Sequence, residues 1–243
     1  MTLKIKSIHK NFGGIKALDK CSLEIKKGKI TAIIGPNGSG KTTLFNVISN
    51  IIKKDKGKTY FDGKDIARLE DFQISRLGIS RTFQEVRLFR NLMIKDHLEI
   101  ALSDSDEKLM QNLFKKKKYD VKKIKGILNL VGLNKSLDTF ATDLSYGQRK
   151  LLDLAVAIAK PHTLLLLDEP VAGVNPMLRK DIKKILRELN KRGETILLIE
   201  HDMNFVMDLA EQIFVMDYGR IIAEGKPKAI QNNPKVLEAY LGD

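Results

Sequence analysis

Gly35-Pro36-Asn37-Gly38-Ser39-Gly40-Lys41-Thr42 has the spacing G-x-x-x-x-G-K-[ST], that of a loop that cradles phosphate. Gly35, Gly38 and Gly40 permit the backbone angles that turn successive N–H groups inward, and a helix opening here adds the positive end of its dipole. Pro36, Asn37, Ser39 and Thr43 complete the loop. Lys41 would reach the β- and γ-phosphates of a nucleoside triphosphate, and the Thr42 hydroxyl would ligate Mg²⁺. Farther on, Leu164–Leu167 delivers two carboxylates, Asp168-Glu169, at the end of an apolar run. Asp168 suits Mg²⁺, directly or through water, and Glu169 suits a base that orients or deprotonates an attacking water. His201 ends the next apolar run, where an imidazole can meet a γ-phosphate oxygen. Leu144-Ser145-Tyr146-Gly147-Gln148 opens an amphipathic segment, with Ser145 a good N-cap. A hydroxyl and a glycine-exposed amide at a helix N-terminus also make an anion site, so Ser145, Gly147 and Gln148 are candidates to clamp a nucleotide held by another copy or partner.

These residues need elements that hold them at one place. Ile30–Ile34 is an apolar, β-branched run, as a buried strand requires, and Thr43–Ile48 follows with helical spacing. Leu164–Leu167 and Thr195–Ile199 read as further buried strands, with a helix over about Met177–Asn190 between them. Strands alternating with helices indicate an α/β fold with a mainly parallel core sheet, and ligands bind at the carboxyl edge of such a sheet. Leu3–Ile8 and Ser22–Ile25 alternate as half-buried antiparallel strands, around a turn at Asn11-Phe12-Gly13-Gly14. Gly57–Lys64 reads as a short strand closed by a turn, and Ile79–Phe83 as another strand ending at Gln84. From about Asn91 to Thr142 helical spacing recurs, in Leu98–Leu102, Leu109–Phe114 and Ile124–Val131. That stretch is read as an inserted helical subdomain of about 91–142, within one domain spanning 1–243 whose core is 1–90 and 143–243. The tail carries a hairpin, Ile213–Met216 with Ile221–Ala223, and a last helix over about Pro234–Leu241.

Composition narrows the classes. Hydrophobic residues make up 43% and charged residues 30% of 243, which describes a globular chain. No apolar run approaches the ~18 residues needed to span a bilayer, and Met1–Lys6 lacks the apolar core of a signal peptide. The single cysteine, Cys21, excludes an internal disulfide and reads as a buried structural thiol in a reducing compartment. The formal charge of +13 could serve nucleic acid or an anionic membrane face. Tryptophan is absent and aromatics reach only 6%, leaving little for base stacking, so nucleic acid is not expected as a partner. The dense run Lys115–Lys118 reads as a solvated loop or one near lipid headgroups. His9, His97 and His162 lack a catalytic setting and are read as structural or exposed.

The order of P-loop, Gln84, Leu144–Gln148, Asp168-Glu169 and His201 resembles the nucleotide-binding subunit of ABC transporters over essentially the whole chain. The resemblance implies that Phe12 stacks on adenine, and that Gln84 links Mg²⁺ and the attacking water to the helical subdomain. It implies two ATPase subunits sandwiching two ATP molecules, with Ser145 and Gly147 of each closing on the γ-phosphate held by the other. Tyr146 stands where the usual signature has its first glycine, and Asn175 where many relatives carry an aspartate. Both features are similar to the branched-chain amino-acid importer branch, as are Ser80–Phe89 and the ending Asn232-Asn233-Pro234…Ala239-Tyr240-Leu241-Gly242. An ATPase at the cytoplasmic membrane face, driving amino-acid import through separate permease subunits, is therefore expected. Its partners would be a second ATPase subunit and, indirectly, an extracytoplasmic substrate-binding protein. Importers of urea or short amides, lipopolysaccharide extractors and soluble nucleic-acid ABC ATPases are the alternatives. No guanine-reading N-K-x-D-type motif supports a GTPase.

Overall fold

The computed structural model describes residues 2–103 and 120–241. Leu109–Phe114, the Lys115–Lys118 run and Gly242 lie outside the described residues. The chain divides into two compact units, the first comprising Met1–Gln84, His162–Gly173 and Leu186–Asp243.

Two sheets build the first unit. The antiparallel one has the order β2-β1-β4-β5, from β1 (Leu3–Phe12), β2 (Ile15–Ile25), β4 (Lys56–Phe61) and β5 (Lys64–Asp65). The other has the order β10-β9-β3-β8-β7-β6, from β3 (Ile30–Ile34), β6 (Ile79–Arg81), β7 (Leu164–Asp168), β8 (Thr195–Ile199), β9 (Gln212–Asp217) and β10 (Arg220–Gly225). Its strands run parallel except for the β9–β10 hairpin. Every residue of β3, β7 and β8 is buried, which is why these strands read as unbroken apolar runs instead of alternating. Ile33 pairs with Ile199, and Ile199 with Asp168, so β3, β8 and β7 end level with one another. That register brings three motif-bearing loops to one edge.

Leu44 and Phe45 of α1 (Lys41–Ile48) seat that helix in the core, among Ile33, Leu164, Leu166 and Phe214. Cys21 lies in the same core, where burial pushes its thiol up to about 12 and leaves it inert. Several boundaries differ from the sequence reading. β1 runs through Phe12 and β2 begins at Ile15, so the turn is only Gly13-Gly14, because cross-strand pairing continues beyond the alternating residues. β6 stops at Arg81, two residues before the expected Phe83; the Thr82 N–H still donates to Leu166 O at 2.9 Å. Helices α2 (Asp71–Arg76), α7 (Met203–Leu209) and α8 (Pro227–Gln231) carried no periodic signal, being two turns or fewer. The last helix, α9, spans Pro234–Leu241 as expected.

The second unit comprises Glu85–Pro161 and Val174–Ile185. Its described helices include α3 (Ile94–Leu102), α4 (Val121–Leu130) and α5 (Tyr146–Ala159), with α3 and α4 both packed on α5. The helix α6 (Pro176–Lys191) begins in this unit. His97, 4% exposed, organises one loop here. Its Nδ1 lies 2.8 Å from Met93 O and its Nε2 accepts from the Phe89 N–H at 3.0 Å, so both ring nitrogens serve the backbone, with Nδ1 carrying the proton. In the first unit, His162 pairs with Glu194 at 2.9 Å and His9 lies 3.4 Å from Asp19.

Candidate active site

The phosphate-type loop leaves β3 and enters α1 through backbone angles that only glycine adopts easily. Gly35, Gly38 and Gly40 have φ of 151°, 78° and 100°. A Cβ on Gly35 would lie 2.0 Å from Met216 O, and one on Gly40 would lie 2.4 Å from Ala17 O, so the loop is packed against β9 and β2 as well as turned. The Gly219 N–H donates to Ser39 O at 2.9 Å, bracing the loop from the β9–β10 turn. α1 has no side-chain cap and no acidic residue in its first turn. Its leading amides, at Lys41, Thr42 and Thr43, belong to the four that a helix cannot satisfy internally. Thr42 is exposed and Thr43 half-buried, as are Pro36 and Gly40, while Asn37 and Gly38 are exposed.

Lys41 is 5% exposed, and its ammonium donates to Gly35 O at 2.9 Å, Pro36 O at 2.7 Å and Ser39 Oγ at 3.3 Å. Burial pulls it below the usual lysine range, and the carboxylates of Glu169 and Asp168 pull it back up. A cation thus stands at the centre of the loop, within the field of both acids.

Asp168 and Glu169 part company at the end of β7. Asp168, 1% exposed, keeps strand geometry and pairs with Arg81 through Oδ2 at 3.2 Å. Glu169 turns out of the strand at φ 50°, a left-handed conformation that is strained for a residue with a Cβ. Its N–H donates to Ile199 O at 3.0 Å, which ties it to β8. Glu169 Oε1 then lies 2.9 Å from His201 Nε2, and Oε2 accepts from Gln84 Nε2 at 3.3 Å. Gln84, Glu169 and His201, which the sequence places more than thirty residues apart, form one hydrogen-bonded group. In this group the His201 Nε2 faces Glu169 Oε1.

Phe12 ends β1 with 45% of its surface exposed. Lys10 Nζ lies 5.4 Å from its ring centroid, and Asp55 holds the strand end, accepting from Lys10 Nζ at 3.0 Å and from the Asn11 N–H at 2.7 Å. A half-exposed aromatic on a braced strand end is a surface on which a planar base can stack.

Ser145, Gly147 and Gln148 belong to the second unit, where they start α5. Ser145 Oγ accepts from the Gln148 N–H at 3.3 Å, and Gln148 Oε1 accepts from the Ser145 N–H at 3.0 Å. Gln148 is therefore one half of a capping box, turned back on its own helix. A Cβ on Gly147 would lie 2.6 Å from Leu178 Cδ2, so this glycine has a packing reason to be small. Asn175 caps α6, its Oδ1 accepting from the Leu178 N–H at 2.9 Å, with Pro176 at the first helical position.

Two residues had no role in the motif reading. Arg81 is 7% exposed as a side chain and lies 5.5 Å from the Phe45 ring centroid and 4.9 Å from that of Phe83. Its Nη1 donates to Ser49 Oγ at 3.2 Å, so it ties the end of α1 to Asp168. Glu200, 3% exposed, accepts from the Val171 N–H at 2.8 Å and the His201 N–H at 3.1 Å. Burial pushes its carboxyl up from the usual range, the backbone amides of Val171, His201 and Asp202 oppose this, and Glu169 adds to it. The available signals were an arginine on a short strand and an acid ending an apolar one, both too common to single out.

The family model described as ABC transporter matches residues 18–172, and that of the branched-chain amino acid ATP-binding cassette transporter matches residues 220–243. The chain is 41% identical over 244 residues to the probable branched-chain amino acid transport ATP-binding protein LivG of Archaeoglobus fulgidus, covering 99% of this chain and 95% of that one. It is similar to a solved nucleotide-free ATP-binding cassette from an ABC transporter, with a TM-score of 0.86 and 37% identity, covering 100% and 99% of the two chains. Another solved ATP-binding cassette, in its ADP conformation, has a TM-score of 0.84 and 38% identity, with the same coverage. With loop, paired acids and histidine gathered at one sheet edge, and with likeness along its whole length, the chain belongs to the ABC transporter family as an ATP-binding subunit.

Proposed function

We propose that this chain hydrolyses ATP to power uptake of branched-chain or other hydrophobic amino acids through separate permease subunits. The observation that carries the chemistry is Glu169, held between Gln84 and His201 with the loop ammonium of Lys41 nearby. The α1 amides, Gly38, Ser39 and Lys41 bind the phosphates, and Phe12 stacks on the adenine. Glu169 accepts the proton of the attacking water; Gln84 and His201 keep its two oxygens aimed, and His201 meets the γ-phosphate from the same edge. The Thr42 hydroxyl, the Gln84 amide oxygen and the Asp168 carboxylate are all oxygen donors, a set suited to a hard cation and without thiolate or imidazole. They would hold Mg²⁺, which when bound neutralises charge on the β- and γ-phosphates.

Ser145 and Gly147 close on the γ-phosphate held by a second ATPase subunit, a different chain in the complete transporter or a second copy of this one. The α5 N-terminus supports this, since its capping serine sits beside an unbranched position. Among the described residues no helix is long and apolar enough to cross a membrane. Likeness to transport ATP-binding proteins supports reading the chain as a peripheral subunit on the cytoplasmic face of separate permeases. The extracytoplasmic binding protein then acts on the permease and not on this chain. The relatives' names favour amino acids over urea, short amides or lipopolysaccharide as cargo.

Specific ATPase activity of the full chain is measured against its own concentration, with and without Ser145→Arg. Activity that rises with concentration and is lost in Ser145→Arg supports the shared site. Turnover independent of concentration and untouched by that substitution overturns it. Cargo is tested by purifying the membrane complex and following uptake of labelled leucine into vesicles; leucine excluded while a short amide enters would overturn the amino-acid assignment.

A further inference from the structure

Glu200 is a carboxylate kept out of water at the end of β8, 3% exposed, immediately before His201. A buried carboxylate persists where hydrogen bonds replace its hydration, and here backbone N–H groups do so. Oε1 accepts from Val171, two residues beyond Glu169. Oε2 accepts from His201 itself. The two oxygens thus bind the backbone on either side of the Glu169–His201 contact. Glu169 sits at φ 50°, a conformation that persists only where its surroundings over-determine it. Its own N–H is bonded to Ile199 O at 3.0 Å, and the Ala172 N–H returns to Glu169 O at 3.2 Å. The Glu200–Val171 bond closes the same turn from outside.

We propose that Glu200 is a positioning residue for ATP hydrolysis: its two carboxylate oxygens lock the segment after Glu169 to the segment entering His201, and so set the 2.9 Å Glu169–His201 contact. The inference rests on the reading of Glu169 as the base. A carboxylate is needed because both contacts are to donors. A glutamine offers one acceptor oxygen and turns an NH₂ group toward the other amide, which breaks one side of the bridge while conserving volume.

The experiment compares Glu200→Gln, Glu200→Asp, His201→Ala and the double variant Glu200→Gln/His201→Ala in the full chain, with kcat, KM, ATP affinity and thermal midpoint read separately. Glu200→Gln is expected to lower kcat ~10- to 100-fold, the scale of small misplacements near reacting groups, with ATP affinity within about twofold of wild type. In the double variant the two losses should not multiply, because one acts through the other. Wild-type kcat in folded Glu200→Gln, or losses that multiply with His201→Ala, overturns the inference. If Glu200→Gln does not fold, Glu200→Asp reads the same bridge, being one methylene too short to reach both amides, with the same two outcomes. Glu169→Gln is measured alongside. Hydrolysis that survives it overturns the base assignment and this inference together, whereas its loss beside wild-type kcat in Glu200→Gln overturns the positioning role alone.

Discussion

Arg81 Nη2 lies 3.2 Å from Asp168 Oδ2, with the two side chains 7% and 1% exposed. The acid that ends β7 is thereby fixed by a cation from β6, and that cation is stacked near Phe45 and Phe83 and bonded to Ser49. The pair joins the end of the phosphate-loop helix to the strand that presents the acids. Removing one partner of a buried pair costs far more than the pair itself contributes, because the other charge is left in a medium that cannot solvate it. Arg81→Ala should lower unfolding stability by about 3–5 kcal/mol, and Arg81→Lys by less. Chemical denaturation checks this, and an unchanged midpoint in Arg81→Ala would show that Asp168 is well solvated without it.

Glu169 and His201 form the second coupled pair. Glu169→Gln keeps the shape and the capacity to bind ATP but removes the proposed base, so hydrolysis should fall by about 10²- to 10⁴-fold with ATP affinity retained. Lys41→Ala should instead weaken binding itself, because it removes the central cation of the loop. Single-turnover hydrolysis and equilibrium ATP binding, measured on the same preparations, separate the two. Equal turnover in wild type and Glu169→Gln is the result that defeats the assignment.

Phe12 tests the adenine contact. Phe12→Ala should weaken ATP binding by about 1–3 kcal/mol, the scale of base–aromatic stacking, and Phe12→Tyr should be nearly silent. The ring is half-exposed on a braced strand end, so its loss should leave the fold intact. An unchanged ATP dissociation constant in Phe12→Ala returns the residue to a packing role.

Asp153 lies on the buried face of α5, where burial pushes its carboxyl up to about 7 against the pull of Lys150 one turn earlier. Between the ordinary aspartate value of roughly 4 and that raised value, the folded chain holds a proton that the unfolded chain has released. Stability should therefore fall as pH rises through this window. Asp153→Asn removes the titration, and its thermal midpoint should change less between pH 5 and pH 8 than that of wild type. A wild-type midpoint that rises across this range would contradict a buried neutral carboxyl.

Much of this protein is legible in the residues by themselves. The unbroken apolar runs of β3, β7 and β8 announce strands buried on both faces, and the motifs stand directly at their ends, so the parallel sheet and its chemical edge follow from pattern alone. The spacing of three glycines before Lys41 dictates a loop whatever the remainder of the chain does. The short helices α2, α7 and α8 were not legible, because two turns or fewer carry no measurable period and are held by what they pack against. Only the tertiary structure pairs Arg81 with Asp168, which are 87 residues apart in the chain. Only it makes Glu200 a bridge between Val171 and His201, turns Gln148 back onto Ser145, and gives Asn175 to the α6 cap. A sequence specifies which groups carry charge and where the chain must turn; which buried charge finds which donor depends on strand register and side-chain packing, and these exist only once distant segments share a desolvated interior.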